Sequence, residues 1–309
     1  MEDTCLKGKV LVFGSINTDL VTYVDTLPVP GETVTGGRFF TFPGGKGANQ
    51  AVAAARAGAG VEMYGCLGND SFGRERIADL ESDGISTYNI ILKAGVPSGI
   101  AQIVVDNRGE NIIAVASGAN SLFSISDIIL PEMSGGERIV SLFQNEIPQG
   151  TTEALIQECK KRGILVLWNT APACQERPSR DTLEAIDFLI CNQTELIALA
   201  GEGDNETLAR EVHSWGVKNV IITLGGRGSL LVTDQETYFQ NAFQVDTVDT
   251  VGAGDCFCGV FACSLSHGLP VKESLQRASA AAALSTTRRG AQTSIPTVED
   301  VDRFLALTG

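Results

Sequence analysis

The stretch VDTVGAGDCFCGVFACSL (residues 248–265) runs from a short polar segment through three small residues, Gly252, Ala253 and Gly254, into an apolar helix. A helix N-terminus exposes N–H groups that lack an intrahelical partner and carries partial positive charge, which favours an anion such as a phosphate. Glycine at that point lets the backbone approach the anion closely. Asp255 falls in the same turn, where its charge would repel a phosphate. Two readings stand. Either Asp255 is a first-turn carboxylate that stabilises the helix dipole, or it takes a proton from a hydroxyl arriving beside the phosphate. The second is the logic of phosphoryl transfer.

A second glycine-rich helix start lies two hundred residues earlier, in PGGKGANQAVAAARAGA (residues 43–59). It has the look of a phosphate cradle but not the spacing. A P-loop needs G-x-x-x-x-G-K followed by a hydroxyl residue, whereas Lys46 is followed by Gly47 and position 40 is Phe40. The anion loop is therefore assigned to residues 252–255. What the early glycines and Lys46 hold is left open by the residues alone.

Outward from these two helices, the chain reads as α/β. From residue 138 strand-like and helix-like segments alternate: strands 138–143, 164–168, 187–191 and 219–224, helices 151–162, 194–200 and 205–215. That rhythm predicts βαβ units and a central, mostly parallel sheet flanked by helices. A hairpin is expected at 229–233 and 237–240, and two long alanine-rich helices at 253–267 and 271–287. In the first half, strands are expected at 9–16 and 61–66, and helices at 46–57 and 71–82. Short strands at 21–24, 31–42, 100–105 and 112–116 break the alternation; DNRGEN (residues 106–111) between the last two has the Asn, Asp and Gly of a hairpin turn. They predict a small β-sheet lid, built from about 17–42 and 97–116, on one domain spanning 1–309.

Composition narrows the function. A formal charge of −14 argues against a nucleic-acid binder, which needs a basic face. No apolar run approaches the roughly 20 residues that span a bilayer, and residues 1–9 lack the apolar stretch of a signal peptide. The eight cysteines form no C-x-x-C pair, and with two histidines a zinc site is not expected. Buried free thiols in a reducing, cytoplasmic setting are the expectation. A nicotinamide dehydrogenase is excluded, because residues 14–19 read GSINTD where G-x-G-x-x-G is needed.

DTVGAGD (249–255) together with GGKGANQAVAAARAGA (44–59) resembles the two signatures of the ribokinase family of carbohydrate kinases. GSINTDLVTYVDTLPVPGETVTG (14–36) and RRGAQTSIP (288–296) are similar to that family's two ends, so the likeness covers essentially the whole chain in order. It implies a parallel-sheet α/β domain with a β lid. The activity it implies is ATP-dependent phosphorylation of D-ribose at the 5-hydroxyl, with Asp255 as the base and Gly252, Ala253 and Gly254 forming the anion hole beside it. A kinase of deoxyribose, another sugar or a nucleoside, and a non-catalytic sugar-binding regulator, are the alternatives.

The resemblance also implies a site. Asn17 and Asp19 would bind sugar hydroxyls, although by themselves they also read as a turn; Gly45, Lys46, Gly47, Asn49 and Glu146 would complete that pocket. On the nucleotide side it implies Asn192 and Glu195, which order Mg²⁺ and phosphates through water, and Thr223, Gly225, Gly226, Arg227, Gly228, Gly254 and Ser279. NQTE (192–195) alone is equally a helix start. The family pattern has Glu where Gln193 stands, and LWNTAPA (167–173) departs from the usual NPAPA. A potassium ion is implied at Asp249 and Ser294 with carbonyls near Val251, Ser285, Arg288 and Gly290, an all-oxygen set suited to a hard cation. Phe39, Phe40 and Phe42 on a sheet that cannot bury both faces imply a homodimer through the lid.

Overall fold

The computed structural model describes residues 8–131 and 138–308; Cys5 and the leading segment read for a signal peptide lie outside the described residues. In chain order come β1 (Lys9–Phe13), β2 (Asn17–Tyr23), β3 (Arg38–Gly44), α1 (Lys46–Arg56), β4 (Gly60–Gly68), α2 (Ser71–Ser82), β5 (Ile90–Lys93), β6 (Gly99–Val105) and β7 (Asn111–Ala116). There follow β8 (Ile139–Phe143), α3 (Gln149–Lys161), β9 (Leu165–Asn169), α4 (Arg180–Ala185), β10 (Phe188–Asn192), α5 (Gln193–Ala200), α6 (Asn205–Ser214) and β11 (Val220–Thr223). Last are β12 (Gly228–Val232), β13 (Thr237–Asn241), α7 (Ala253–Ser266), α8 (Val271–Ser285) and α9 (Val298–Thr308).

Nine strands form one sheet in the order β13-β12-β11-β10-β9-β8-β1-β4-β5, parallel from β11 to β5 with β12 and β13 antiparallel at one edge. The central β1, KVLVF, is apolar on both faces because both are covered. Val10 and Val12 face the cluster built with α1, α7 and α8, while Leu11 and Phe13 face the opposite one. Phe13 stacks on Phe143 of the neighbouring β8 at 4.9 Å, which helps align the carboxyl ends of the two strands. Four of the segments expected to bind ligand leave a strand at that end: residues 14–17 after β1, 144–146 after β8, Asn192 ending β10 and Thr223 ending β11. Open parallel sheets place their ligands there.

The second sheet, β3-β2-β6-β7, is the expected lid. Its edges differ from the expectation. β2 begins at Asn17, so Asn17 and Asp19 stand on a strand paired with β3 on one side and β6 on the other, not on a turn. The strand expected over 31–42 starts only at Arg38, after a segment in which Gly31 and Gly36 take positive φ, a backbone no strand uses. β5, α4 and α9 were not anticipated; among them α9 fully buries only Val301, with Phe304 and Leu305 packed partly against the core.

Helices α1 and α7 pack unusually closely, and Gly259 is the reason. A Cβ there would lie 2.4 Å from the Gln50 carbonyl oxygen and 2.5 Å from the Ala53 Cβ. Gly259→Ala is expected to force the helices apart and destabilise the fold by about 1–3 kcal/mol. Gly150→Ala, in the first turn of α3 with open space around it, is expected to be neutral or to stabilise by up to about 1 kcal/mol. Chemical denaturation of both variants measures the contrast, and equal stabilities would show that the helix contact is not tight.

Candidate active site

Helix α7 starts at Gly252, whose φ of 77° is left-handed and therefore glycine territory. Asp255, in the first turn, is 6 % exposed, so its carboxylate needs partners inside the protein. Both come from α1. Asn49 Nδ2 donates to Oδ2 at 3.0 Å and Gln50 Nε2 to Oδ1 at 2.9 Å. The two glycine-rich helix starts, far apart in sequence, thus meet at one carboxylate. Asp255, Gly252 and Gly254 line a cleft of about 210 Å³ together with Lys46, Asn192, Glu195, Thr223 and Cys258. Burial, reinforced by Asp255, pushes the Cys258 thiol well above its usual range, so it offers no thiolate nucleophile.

The N-terminus of α1 is already occupied by a carboxylate of the protein. Lys46 N–H donates to Glu146 Oε2 at 3.0 Å, and Ser15 Oγ donates to the same oxygen. Gly47 lets this happen, since a Cβ there would lie 2.7 Å from the Ser15 backbone. Asn17 and Glu146 line one cavity of about 410 Å³, and Asp19 lines an adjoining, larger cleft beneath the lid with Asp249 and Gly290. The residues expected around a sugar therefore surround Asp255 without enclosing a single pocket. Lys46 lines the phosphate-sized cleft between Glu195 and Asp255; the Asp255 charge, followed by Glu146 and Glu195, raises its pKa against the opposing effect of burial. Its backbone N–H is held by Glu146, while its side chain lines the cleft with Asn192 and Glu195.

Nucleotide-side expectations separate into two groups. Thr223, Gly225, Gly226, Gly228, Gly254 and Ser279 line a cavity of about 330 Å³ with Phe243, Phe257 and Ala283. Arg227 is not among them: its side chain turns back to donate to Gln193 Oε1 at 2.9 Å. Asn192 and Glu195 form a capping box, with Glu195 N–H donating to Asn192 Oδ1 at 2.9 Å and Asn192 N–H to Glu195 Oε2 at 2.8 Å. Burial raises the Glu195 pKa, opposed by the Asn192 backbone and Lys46. The departure at Gln193 leaves this pair intact, because Gln193 points away to Arg227 and Asn205.

Beside α7, the Asp249 carboxylate accepts from Val251 N–H at 3.0 Å and Gly290 N–H at 2.9 Å, drawing residues 249–251 and 288–294 together. Arg56, at the end of α1, pins the second segment by donating to the carbonyls of Gln292 (2.6 Å) and Ile295 (3.2 Å). Among the described residues, no hydrogen bond reaches the backbone oxygens of Val251, Arg288 or Gly290. With Asp249 and Ser294, and a Ser285 carbonyl that already accepts from Arg288 N–H at 3.3 Å, the donor set is oxygen alone and fits a hard monovalent cation. The paired Asn192 and Glu195 fit Mg²⁺ through water rather than by direct ligation, since both carboxylate oxygens already accept hydrogen bonds from Asn192.

Residues 7–298 match the family described as pfkB family carbohydrate kinase. The chain belongs to that family. A ribokinase of Schizosaccharomyces pombe is 37% identical over 308 residues, covering 95% of this chain and 96% of its own. The crystal structure of a ribokinase from Thermotoga maritima superposes with a TM-score of 0.88 at 39% identity, over 97% of this chain and 99% of that one. The structure of an Arabidopsis thaliana ribokinase complexed with ribose and ATP superposes at 0.87 with 30% identity, over 97% and 99%.

Several polar residues of this kinase's site escaped the sequence reading: Gln50, Asn120, Gln144, Asn169 and Gln292. Asn120 Nδ2 donates to Asn17 Oδ1 at 2.8 Å, which turns the Asn17 amino group toward the open side. The available signal was a polar amide inside an apolar helix, Gln50 in ANQAVAAA, which is fully buried.

Asp19 is pushed up from 3.8 to about 6, first by burial, then by Glu146, with Arg76 opposing and Asp255 adding. The folded state thus holds this proton more tightly than the unfolded chain. Its contribution to stability is full below the unfolded value and is lost as pH rises through about 6. Asp19→Asn removes the cost of the buried charge. The variant should melt above the wild type at mildly alkaline pH, with the gap closing on acidification. Calorimetry across that range tests this, and a gap independent of pH would contradict it.

Proposed function

We propose that this kinase transfers the γ-phosphoryl group of ATP to the 5-hydroxyl of D-ribose. The observation that carries the reading is the position of Asp255. It walls the phosphate-sized cleft at the start of α7 while its two oxygens are held by the sugar-side helix α1. In this reading Asp255 takes the hydroxyl proton as the new O–P bond forms, the bond from the γ-phosphorus to the bridging oxygen breaks, and ADP leaves. Gly252, Ala253, Gly254 and the Asp255 N–H face the charge that spreads over the transferring group, and Lys46 adds its ammonium. Asn192 and Glu195 would order a Mg²⁺ ion through water, which would supply charge neutralisation at the phosphates. Residues 249–251 and 288–294 would hold a potassium ion, which would help keep the anion loop in place. Asn17, Asp19, Gly45, Gly47, Asn49 and Glu146 serve the sugar. Ribose-and-ATP binding by the Arabidopsis relative supports the substrate pair.

A coupled assay of ATP consumption with ribose tests this. Asp255→Asn should lower kcat by roughly 10²–10⁴, the usual worth of a general base; near-normal turnover removes Asp255 from that role. Ribose should be turned over faster than 2-deoxyribose or adenosine, and the reverse order reassigns the substrate. Replacing potassium by sodium should slow the reaction, and an unchanged rate removes the cation from the site.

We also propose a cytoplasmic homodimer through the lid. The seven cysteines described are all free thiols, which suits a reducing compartment, and among the described residues no helix is long and apolar enough to cross a membrane. On the lid, Phe39 and Phe40 of β3 and Ile112, Ile113 and Val115 of β7 are exposed, while Phe42 is partly buried against Phe40. Two edge strands carrying exposed apolar side chains suit a second copy of the chain. Light scattering should give twice the monomer mass, and Ile113→Asp should reduce it to the monomer; a monomeric wild type defeats the proposal.

A further inference from the structure

Asp255 stands at the end of a chain of buried amides whose direction is set by chemistry. A carboxylate only accepts hydrogen bonds, so Gln50 must present its amino group to it. That group carries two protons, and both are committed: one to Asp255 Oδ1 at 2.9 Å, the other to Asn169 Oδ1 at 3.0 Å. The Gln50 carbonyl consequently faces the other way and accepts from Gln144 Nε2 at 2.8 Å. Asn169 is fixed in turn, its own amino group donating to the Ile190 carbonyl at 3.1 Å. A parallel arm reaches the other oxygen, Gln292 Nε2 donating to Asn49 Oδ1 at 3.1 Å and Asn49 Nδ2 to Asp255 Oδ2 at 3.0 Å. Gln50 and Gln144 are both fully buried, so neither amide has water as an alternative partner.

We propose that Gln50 is a positioning residue for Asp255 and that Gln144, which touches neither Asp255 nor the cleft, sets the direction in which Gln50 points. The inference rests on the reading of Asp255 as the base. An amide donor on each oxygen does two things. It holds the carboxylate at one rotation about its side chain, and it stabilises the ionised form, the one able to take a proton. The proton collected from the substrate then goes to a lone pair not already engaged by Asn49 or Gln50. Without Gln144, Gln50 is free to turn over and set its carbonyl against the carboxylate, which reverses both effects.

The test uses wild type, Gln50→Met and Gln144→Met, all neutral and near in size, assayed with ribose and ATP across the acidic side of the pH profile. Gln50→Met should lower kcat about tenfold or more, the worth of one hydrogen bond to a charged group. It should also move the acidic limb of kcat upward by about one unit, with the KM for ATP unchanged. Gln144→Met should shift the same limb in the same direction by less. A limb that stays at the wild-type position in Gln50→Met overturns the proposal, whatever happens to kcat or to the melting temperature, because a merely structural role would not move it. If Gln50→Met does not fold, the limb of Gln144→Met decides by the same criterion. Wild type that fails to consume ATP with ribose instead sinks the proposed reaction, so the two failures are distinguishable.

Discussion

A buried carboxylate imposes a demand on everything around it, and in this chain Asp255 is that carboxylate. Water is nearly excluded from it, so its charge is met by the amides of Asn49 and Gln50. For those two short side chains to reach it, α1 must lie directly against α7. That contact requires the small faces of both helices, alanines along α1 and Gly259 in α7. The composition of two helices 200 residues apart, and with it the packing over one whole face of the main sheet, follows from supplying two N–H donors to one side chain.

The two glycine-rich helix starts illustrate how the same physics is put to different uses. Both present N–H groups with partial positive charge. At α1 the charge is met within the protein by Glu146, which also holds Ser15 after β1, so this helix end is a joint between strand ends. At α7, among the described residues, no side-chain carboxylate accepts from the N–H groups of Ala253, Gly254 or Asp255, and the open turn lines the cleft together with Lys46. Whether a helix N-terminus is a ligand site or a structural clamp is thus decided by what tertiary contacts leave in front of it.

This is also where legibility from sequence ends. Local patterns carried the α/β alternation, the bounds of α2 and the late hairpin, because apolar periodicity and turn residues are properties of neighbouring positions. The small residues at 252–254 and the acid at 255 were equally readable, since a helix start and its first turn are local. Asn17 and Asp19 read on their own as a turn, and only pairing with β3 and β6 places them on a strand. Most of the amides were hidden for a different reason. Gln50, Gln144 and Gln292 acquire meaning from partners 94 to 243 residues away, and only Gln50, a polar amide inside an apolar helix, carries a local sign of its burial.

The acidic character of the chain sharpens the last point. Asp19, Glu146, Glu195 and Asp255 crowd one region of a protein with a net charge of −14, into which this reading brings a polyanionic nucleotide. Burial and mutual repulsion raise Asp19 and Glu195, so part of that negative charge is held in check by protonation or by hydrogen bonds. Lys46 is the cation whose proton all three of Asp255, Glu146 and Glu195 tighten. An ammonium held charged by three carboxylates offsets part of their mutual repulsion. Its long stem carries a compact charge from the start of α1 into the cleft that Glu195 and Asp255 also line.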